Sequence, residues 1–272
     1  MKNKFFKIFI GGIIALSVFL YWQDNSIVVT DYKYANEKVP YEFNGFKIVQ
    51  VSDLQNKMFY KNQSSLINKV KNANGDIIVI TGDLIDSNRT NIQNAYAFID
   101  EAVKIAPVYY VSGNHEKHSG KYDELIEGLS ERGVHILENT YEYIEQNDSK
   151  IAIMGIKDIR KNYNFDSILE DMCNENSDYF KILLSHRPEI YEIYDEKGVD
   201  LSFTGHAHGG QIRLPFTDGL FAPNQGILPK YTSGIRYFDN SAMVISRGLG
   251  NSVFPFRVFN RPEITVTTLY SE

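Results

Sequence analysis

Residues 200–210 read DLSFTGHAHGG: a short β-rich run that breaks into a loop holding two histidines one residue apart, with glycine on both sides. A strand that only had to turn would use Gly, Asn or Asp there and would need no imidazole. The same construction recurs upstream. Asp53 and Gln55 follow FKIVQVS (46–52), Gly82 and Asp83 follow DIIVIT (76–81), the block GNHE (113–116) follows PVYYVS (107–112), and His186 follows FKILLS (180–185). Further strand-like runs are KIAIMGI (150–156), AMVISR (242–247) and EITVTTL (263–269), and amphipathic helix patterns occupy 62–74, 91–106 and 121–133. Strands alternating with helices specify a layered α/β domain rather than a sandwich or a bundle. In open α/β sheets ligands bind beyond the carboxyl ends of strands, so five polar loops of this kind can converge on one crevice.

The chain has 272 residues, 43% of them apolar, enough for one large domain or two small ones. Cys173 is the only cysteine, which rules out an internal disulfide and reads as a small buried or idle thiol. At the N-terminus Phe5 to Trp22 is apolar apart from Lys7, which can snorkel, and is just long enough to span a bilayer. Lys2, Lys4 and Lys7 stand before or within it and Asp24 and Asp31 follow, so the positive-inside rule leaves the N-terminus in the cytoplasm and the body outside. A cleaved signal peptide is the competing reading, but VFLYWQDNS offers large side chains where a signal peptidase needs small ones. The expected division is an anchor over 1–22, a linker leading into the fold over 23–45, and one catalytic domain over 46–272, in a single-pass cell-membrane protein. Without its first 22 residues the chain loses three of 28 Lys+Arg and none of 34 Asp+Glu, leaving a net charge of −9. Nucleic-acid binding is not expected of so acidic a body.

Singly, the polar residues have ordinary readings: Asp53 or Asp83 as a helix N-cap, Asn114 as a turn residue, His186 as a satisfied core histidine. His118 reads as a surface residue and His135 as a plain core or edge residue. Together, Asp, Asn and His in a cluster without Lys or Cys supply oxygen and imidazole ligands suited to Mn, Fe, Zn or Mg. A pair of cations needs one carboxylate to bridge them and enough neutral ligands to limit the negative charge, and this set contains both.

In the order D-x-Q, G-D, G-N-H-E, H and G-H-x-H, the blocks DLQ, GD, GNHE, SH and GHAH resemble those of the calcineurin-like metallophosphoesterase family, from about Phe46 to the C-terminus. The wording of GHAHGGQIRLP and SRGLGNS is similar to a bacterial branch with an N-terminal membrane segment or export signal. The resemblance implies a four-layer α-β-β-α sandwich of two mixed sheets with helices outside. It implies two divalent cations, manganese preferred: Asp53 and His208 on one, Asn114, His186 and His206 on the other, and Asp83 bridging. It gives His115 the role of contacting the phosphate and protonating the leaving oxygen. Two such cations make hydroxide available from water near neutral pH and clamp the phosphoryl oxygens.

One position departs from the family. Gln55 stands where histidine is usual; its amide oxygen can ligate a hard cation but is a weaker donor to zinc or iron. The expected activity is hydrolysis of phosphomonoester, phosphodiester or pyrophosphate bonds, on a lipid or cell-envelope phosphoester that an anchored catalyst meets at high effective concentration. The alternative is a non-catalytic or single-metal scaffold at the membrane. Lys157, Arg160, Arg213 and Arg247 are candidates for an anionic substrate, with solvated charge as their plainer reading. The Pro-, Gly- and aromatic-rich stretch 214–237 reads as an ordered loop near the site.

Overall fold

The computed structural model describes residues 2–158, 164–214, 218–251 and 254–272. Helix α1 (Lys2–Asn25) leads into a first sheet built from β1 (Val28–Asn36), β2 (Lys47–Val51), β3 (Ile77–Thr81), β4 (Val108–Val111) and β5 (His135–Ile136). The chain then crosses to a second sheet through β6 (Thr140–Gln146), β7 (Ser149–Gly155), β8 (Lys181–Leu184) and β9 (Leu201–Thr204). A small hairpin, β10 (Phe221–Ala222) and β11 (Gly226–Ile227), precedes β12 (Gly234–Tyr237) and β13 (Ala242–Ile245), and the last strand β14 (Glu263–Ser271) returns to the first sheet. The sheet orders are β1-β14-β2-β3-β4-β5 and β12-β13-β9-β8-β7-β6. Both are mixed: β14 runs antiparallel to β2, and β6 and β12 run antiparallel to β7 and β13.

The central strands are apolar without interruption because they are buried on both faces. In β3, Ile77 and Val79 share a core with Ile151, Ile153, Ile182, Leu184 and Phe203 of the second sheet. Ile78 and Ile80 join the opposite core with Leu66, Ile99 and Leu129. Those three come from α2 (Ser64–Ala73), α3 (Ile92–Ala102) and α5 (Tyr122–Glu131). In β8, Ile182 and Leu184 face inward, whereas Leu183 meets Leu169 and Tyr194 of α6 (Phe165–Glu175) and α7 (Tyr191–Glu196). The result is the four-layer α-β-β-α sandwich of two mixed sheets.

Within 23–45, expected as a linker, Val28–Asn36 is instead the edge strand β1, paired in parallel with β14 from Val28↔Glu263 to Asn36↔Ser271. The first sheet therefore begins before Phe46. The run VVTDYKYAN hides this because only Tyr34 is buried, as suits an edge strand with one open face. In α1, Lys4–Asn25 is long and apolar enough to cross a bilayer, about 33 Å at 1.5 Å per residue. Its C-terminal end is tied to the body: Asp24 Oδ1 accepts the Arg257 N–H at 2.8 Å and the Asn251 amide at 3.1 Å, and Arg261 Nε donates to Ser26 O at 2.9 Å.

Candidate metal centre

Every polar block stands at the C-terminal end of its strand. Asp53 follows β2, Asp83 follows β3, and Asn114 opens the short helix α4 (Asn114–His118) after β4. His186 follows β8, and His206 and His208 follow β9. Packing the two sheets face to face brings these ends together. Asp83, His186 and His206 each offer one ligand atom within 4.8 Å of the others, and so do Asp53, Asp83 and His208. Asp83 belongs to both groups.

The backbone is bent to make this possible. Asp53, Gln55, Asp83, His206 and His208 all have φ between +46° and +64°. Left-handed conformations cost a non-glycine residue stability, and their clustering here marks a site rather than a set of turns. Close approach of backbones completes it: a Cβ on Gly205 would lie 2.0 Å from Ser52 Oγ and 2.5 Å from Asp53 Oδ2. Gly205→Ala is therefore expected to displace Asp53 and empty the Asp53–His208 half of the site; a full metal complement measured on the folded variant would contradict this.

Hydrogen bonding fixes which atoms face the centre. The Thr81 carbonyl can only accept, so His186 donates to it from Nδ1 at 2.7 Å and turns Nε2 inward. That Nε2 lies 3.2 Å from Asp83 Oδ2, 3.2 Å from Asn114 Oδ1 and 3.1 Å from His206 Nδ1. Four side-chain nitrogen and oxygen atoms thus gather within hydrogen-bond distance of one point, a donor set suited to a cation. In the other group His208 Nε2 is 3.4 Å from Asp53 Oδ1. The Gln55 amide donates from Nε2 to Asp83 Oδ2 at 2.8 Å, while its Oε1 is buried without a hydrogen-bond partner, as is His208 Nδ1. A buried amide oxygen left unpaired is costly unless it serves a ligand. The residues present therefore fit a pair of divalent cations.

Electrostatics agree. Burial opposes ionisation of Asp83, but the neighbouring His186 outweighs it and holds the carboxyl well below its usual range. Burial lowers His186, yet Asp83 beside it raises the imidazole to about 10. The Asp83 carboxylate thus draws positive charge to this position, which either a proton or a cation can supply, and only the ring without a hydrogen on Nε2 can ligate. Burial first of all lowers His206 and His208, leaving neutral imidazoles suited to ligation.

His115 stands beside the cluster. Its Nδ1 accepts the Ser87 backbone N–H at 3.1 Å, so the ring hydrogen of the neutral form sits on Nε2, 4.0 Å from Asp83 Oδ2. A cavity of about 450 Å³ opens here, lined by Asp83, Asn114, His115, His206 and His208 with Phe221, Pro223 and Phe254 among its walls.

Several contributors escaped the sequence reading. Glu116 is buried and accepts backbone N–H groups from Asp83 at 3.0 Å, Leu84 at 2.6 Å and Gly113 at 2.8 Å, locking two metal-facing loops together. Its signal was its place in GNHE. Asn224, inside the 214–237 stretch, lies 2.8 Å from His206 Nε2 and donates to Glu189 at 3.1 Å.

The basic candidates are placed otherwise. Lys157 pairs with Glu138 at 2.9 Å, Arg247 with Glu263 at 2.8 Å, and Arg213 bonds Ser233 Oγ at 2.8 Å; none lines the cavity. Arg160 lies outside the described residues. His135 pairs with Glu142 at 2.7 Å on a half-exposed edge.

The sequence of the calcineurin-like phosphoesterase family matches residues 46–210. The Bacillus subtilis (strain 168) metallophosphoesterase YkuE is 32% identical over 259 residues, covering 92% of this chain and 88% of its own. A Danio rerio transmembrane protein with metallophosphoesterase domain is 25% identical over 252 residues, covering 87% of this chain and 56% of its own. Among solved structures, a dimetal phosphatase from Danio rerio shares the fold with a TM-score of 0.53 at 11% identity, over 84% of this chain and 94% of that one. With the family profile spanning more than half of the chain and the ligand-bearing loops gathered at one end of both sheets, the chain belongs to the calcineurin-like phosphoesterase family and is a metal-dependent phosphoesterase.

Proposed function

We propose that the protein is a membrane-anchored phosphoesterase whose dinuclear centre is held by Asp53, Gln55, Asp83 and His208 on one side and by Asp83, Asn114, His186 and His206 on the other. The observation that carries this is the position of Asp83 in both ligand groups. When bound, the cations supply a nucleophile from water near neutral pH and neutralise charge on the phosphoryl group. The chain does the rest. Glu116 fixes the Asp83 and Gly113 loops through their amides, so the bridging carboxylate cannot drift. Thr81 sets the His186 tautomer, and His115 presents its Nε2–H to the substrate oxygens. The preferred cation is manganese, because a neutral amide oxygen at Gln55 favours a hard ion.

The anchored reading is supported by the foot of α1. Phe19 packs on Phe259 and Trp22 lies under Arg261, contacts that cleavage after Trp22 would remove, while Arg257, Asn251 and Arg261 bond residues 24–26. The body then lies outside the cytoplasmic membrane, by the lysine bias at the N-terminus. A lipid or cell-envelope phosphoester is the substrate class such an anchored enzyme meets most often.

Hydrolysis of bis-p-nitrophenyl phosphate and p-nitrophenyl phosphate with added Mn²⁺ tests the catalytic reading. Turnover of at least one is expected; none of either would leave a metal-binding scaffold. Gln55→His is expected to tighten the first cation and move preference from Mn²⁺ towards Zn²⁺ or iron, since imidazole is the stronger donor to later transition metals. Metal titration of both proteins checks this, and equal affinity and preference would place Gln55 outside the coordination sphere.

A further inference from the structure

Three phenylalanines stand out of the segment 254–259: Phe254, Phe256 and Phe259 are 39%, 44% and 52% exposed. Phe254 and Phe256 lie edge to face with centroids 6.4 Å apart. Phe259 holds φ at +52°, a conformation a bulky residue rarely adopts. Its ring meets Phe19 of α1 edge to face, with centroids 5.6 Å apart. Phe19 is inside the apolar stretch Lys4–Asn25, about 9 Å along the axis from Asn25. Whatever touches Phe19 therefore sits at the depth of the bilayer's apolar layer when α1 spans it.

The residues around this contact are those of a membrane boundary. Arg261 lies over the Trp22 ring, 4.7 Å from its centroid, an aromatic and a cation at the level where both are favoured. Lys57 donates to the Asp24 carbonyl at the same end of the helix. Phe254 links this lip to the chemistry, since it also forms part of the wall of the metal-site cavity. On the other side of Gln55 a polar groove of about 380 Å³ is lined by Lys57, Arg89 and Asn251, leaving room for a head group.

We infer that Phe254, Phe256 and Phe259 insert into the bilayer beside the anchor, so that the cavity receives phosphoesters carried on lipids of that same bilayer. The inference rests on the anchored phosphoesterase reading. Its partner is the lipid bilayer, committed to by the continuity of the lip with α1.

The test uses the full chain in phosphatidylcholine nanodiscs. Trp22 is the only tryptophan, so Phe256→Trp in a Trp22→Phe background reports one position. Its emission is expected to be blue-shifted and quenched when the lipid chains are brominated. Tyr143→Trp, on the edge strand β6 of the second sheet, is expected to be unaffected. Equal emission of the Phe256→Trp protein in plain and brominated lipid, with turnover of bis-p-nitrophenyl phosphate retained, would overturn the inference.

A second arm addresses the substrate. Phe256→Ser with Phe259→Ser is expected to lower turnover of a long-chain alkyl p-nitrophenyl phosphodiester in the nanodisc by roughly tenfold or more, by losing effective concentration. Turnover of soluble bis-p-nitrophenyl phosphate should not change. Equal effects on both probes, or none on the alkyl probe, would overturn the lipid-substrate assignment. An unmodified enzyme inactive on both probes would instead refute the phosphoesterase reading, and the quenching result would stand apart from it.

Discussion

Asp83→Ala is expected to release both cations and to abolish turnover, a larger effect than losing any other ligand. Asp83 alone reaches both ligand groups, with His186 and His206 on one side and Asp53 and His208 on the other. Without its carboxylate, three neutral donors would have to hold the second cation, and the first would keep only Asp53 as a charged ligand. The expected loss exceeds the roughly 10²–10³-fold that one stabilising donor is worth. Backbone strain needs a control, because φ at Asp83 is +55° and alanine accepts that region less readily than asparagine. Asp83→Asn keeps the left-handed turn and the shape of the side chain but removes the charge. Both variants should retain the fold, read by thermal unfolding, and lack metal by elemental analysis. One full equivalent of cation in either would show that Asp83 does not bridge.

The sites of this chemistry were readable because each polar block ends an apolar run. A strand buried on both faces leaves a continuous run of Val, Ile and Leu, as in IIVIT and KILL, and its end is marked by the first polar residue. β1 was not readable on those terms. VVTDYKYAN pairs on one side only, and its alternation of polar and aromatic residues resembles a surface segment until β14 is seen beside it. The short helix α7 and the two-residue strands β5, β10 and β11 carry too few residues to show a period.

Contacts between remote loops were hidden for a different reason. That Glu116 gathers the amides of Asp83, Leu84 and Gly113 depends on where β3 and β4 end relative to each other, which only their pairing fixes. Asn224, between β10 and β11, meets His206 beyond the end of β9, a long-range choice with no local periodicity. Lys157, Arg213 and Arg247 stand away from the cavity, each with an acidic or hydroxyl partner placed by tertiary packing. Charge alone could not reveal the Glu263 waiting beside Arg247.

His115→Ala should lower turnover of alkyl phosphoesters by about 10²–10⁴-fold while both cations remain, the usual worth of a general acid. The ring is in neither ligand group, and its Nε2 is 4.0 Å from the nearest Asp83 oxygen, too far to compete for the bridging position. Its backbone N–H does bond Asp83 Oδ1 at 2.9 Å, but alanine keeps that donor. The Ser87 amide holds Nδ1 as an acceptor, so the hydrogen offered to substrate is on Nε2. A leaving group that departs easily as an anion needs little protonation, whereas an alkoxide needs it badly. The loss in His115→Ala should therefore be small for p-nitrophenyl esters and large for alkyl esters. Equal loss for both would make His115 a phosphate-positioning group and not an acid, and loss of metal with activity would put it in the coordination sphere after all.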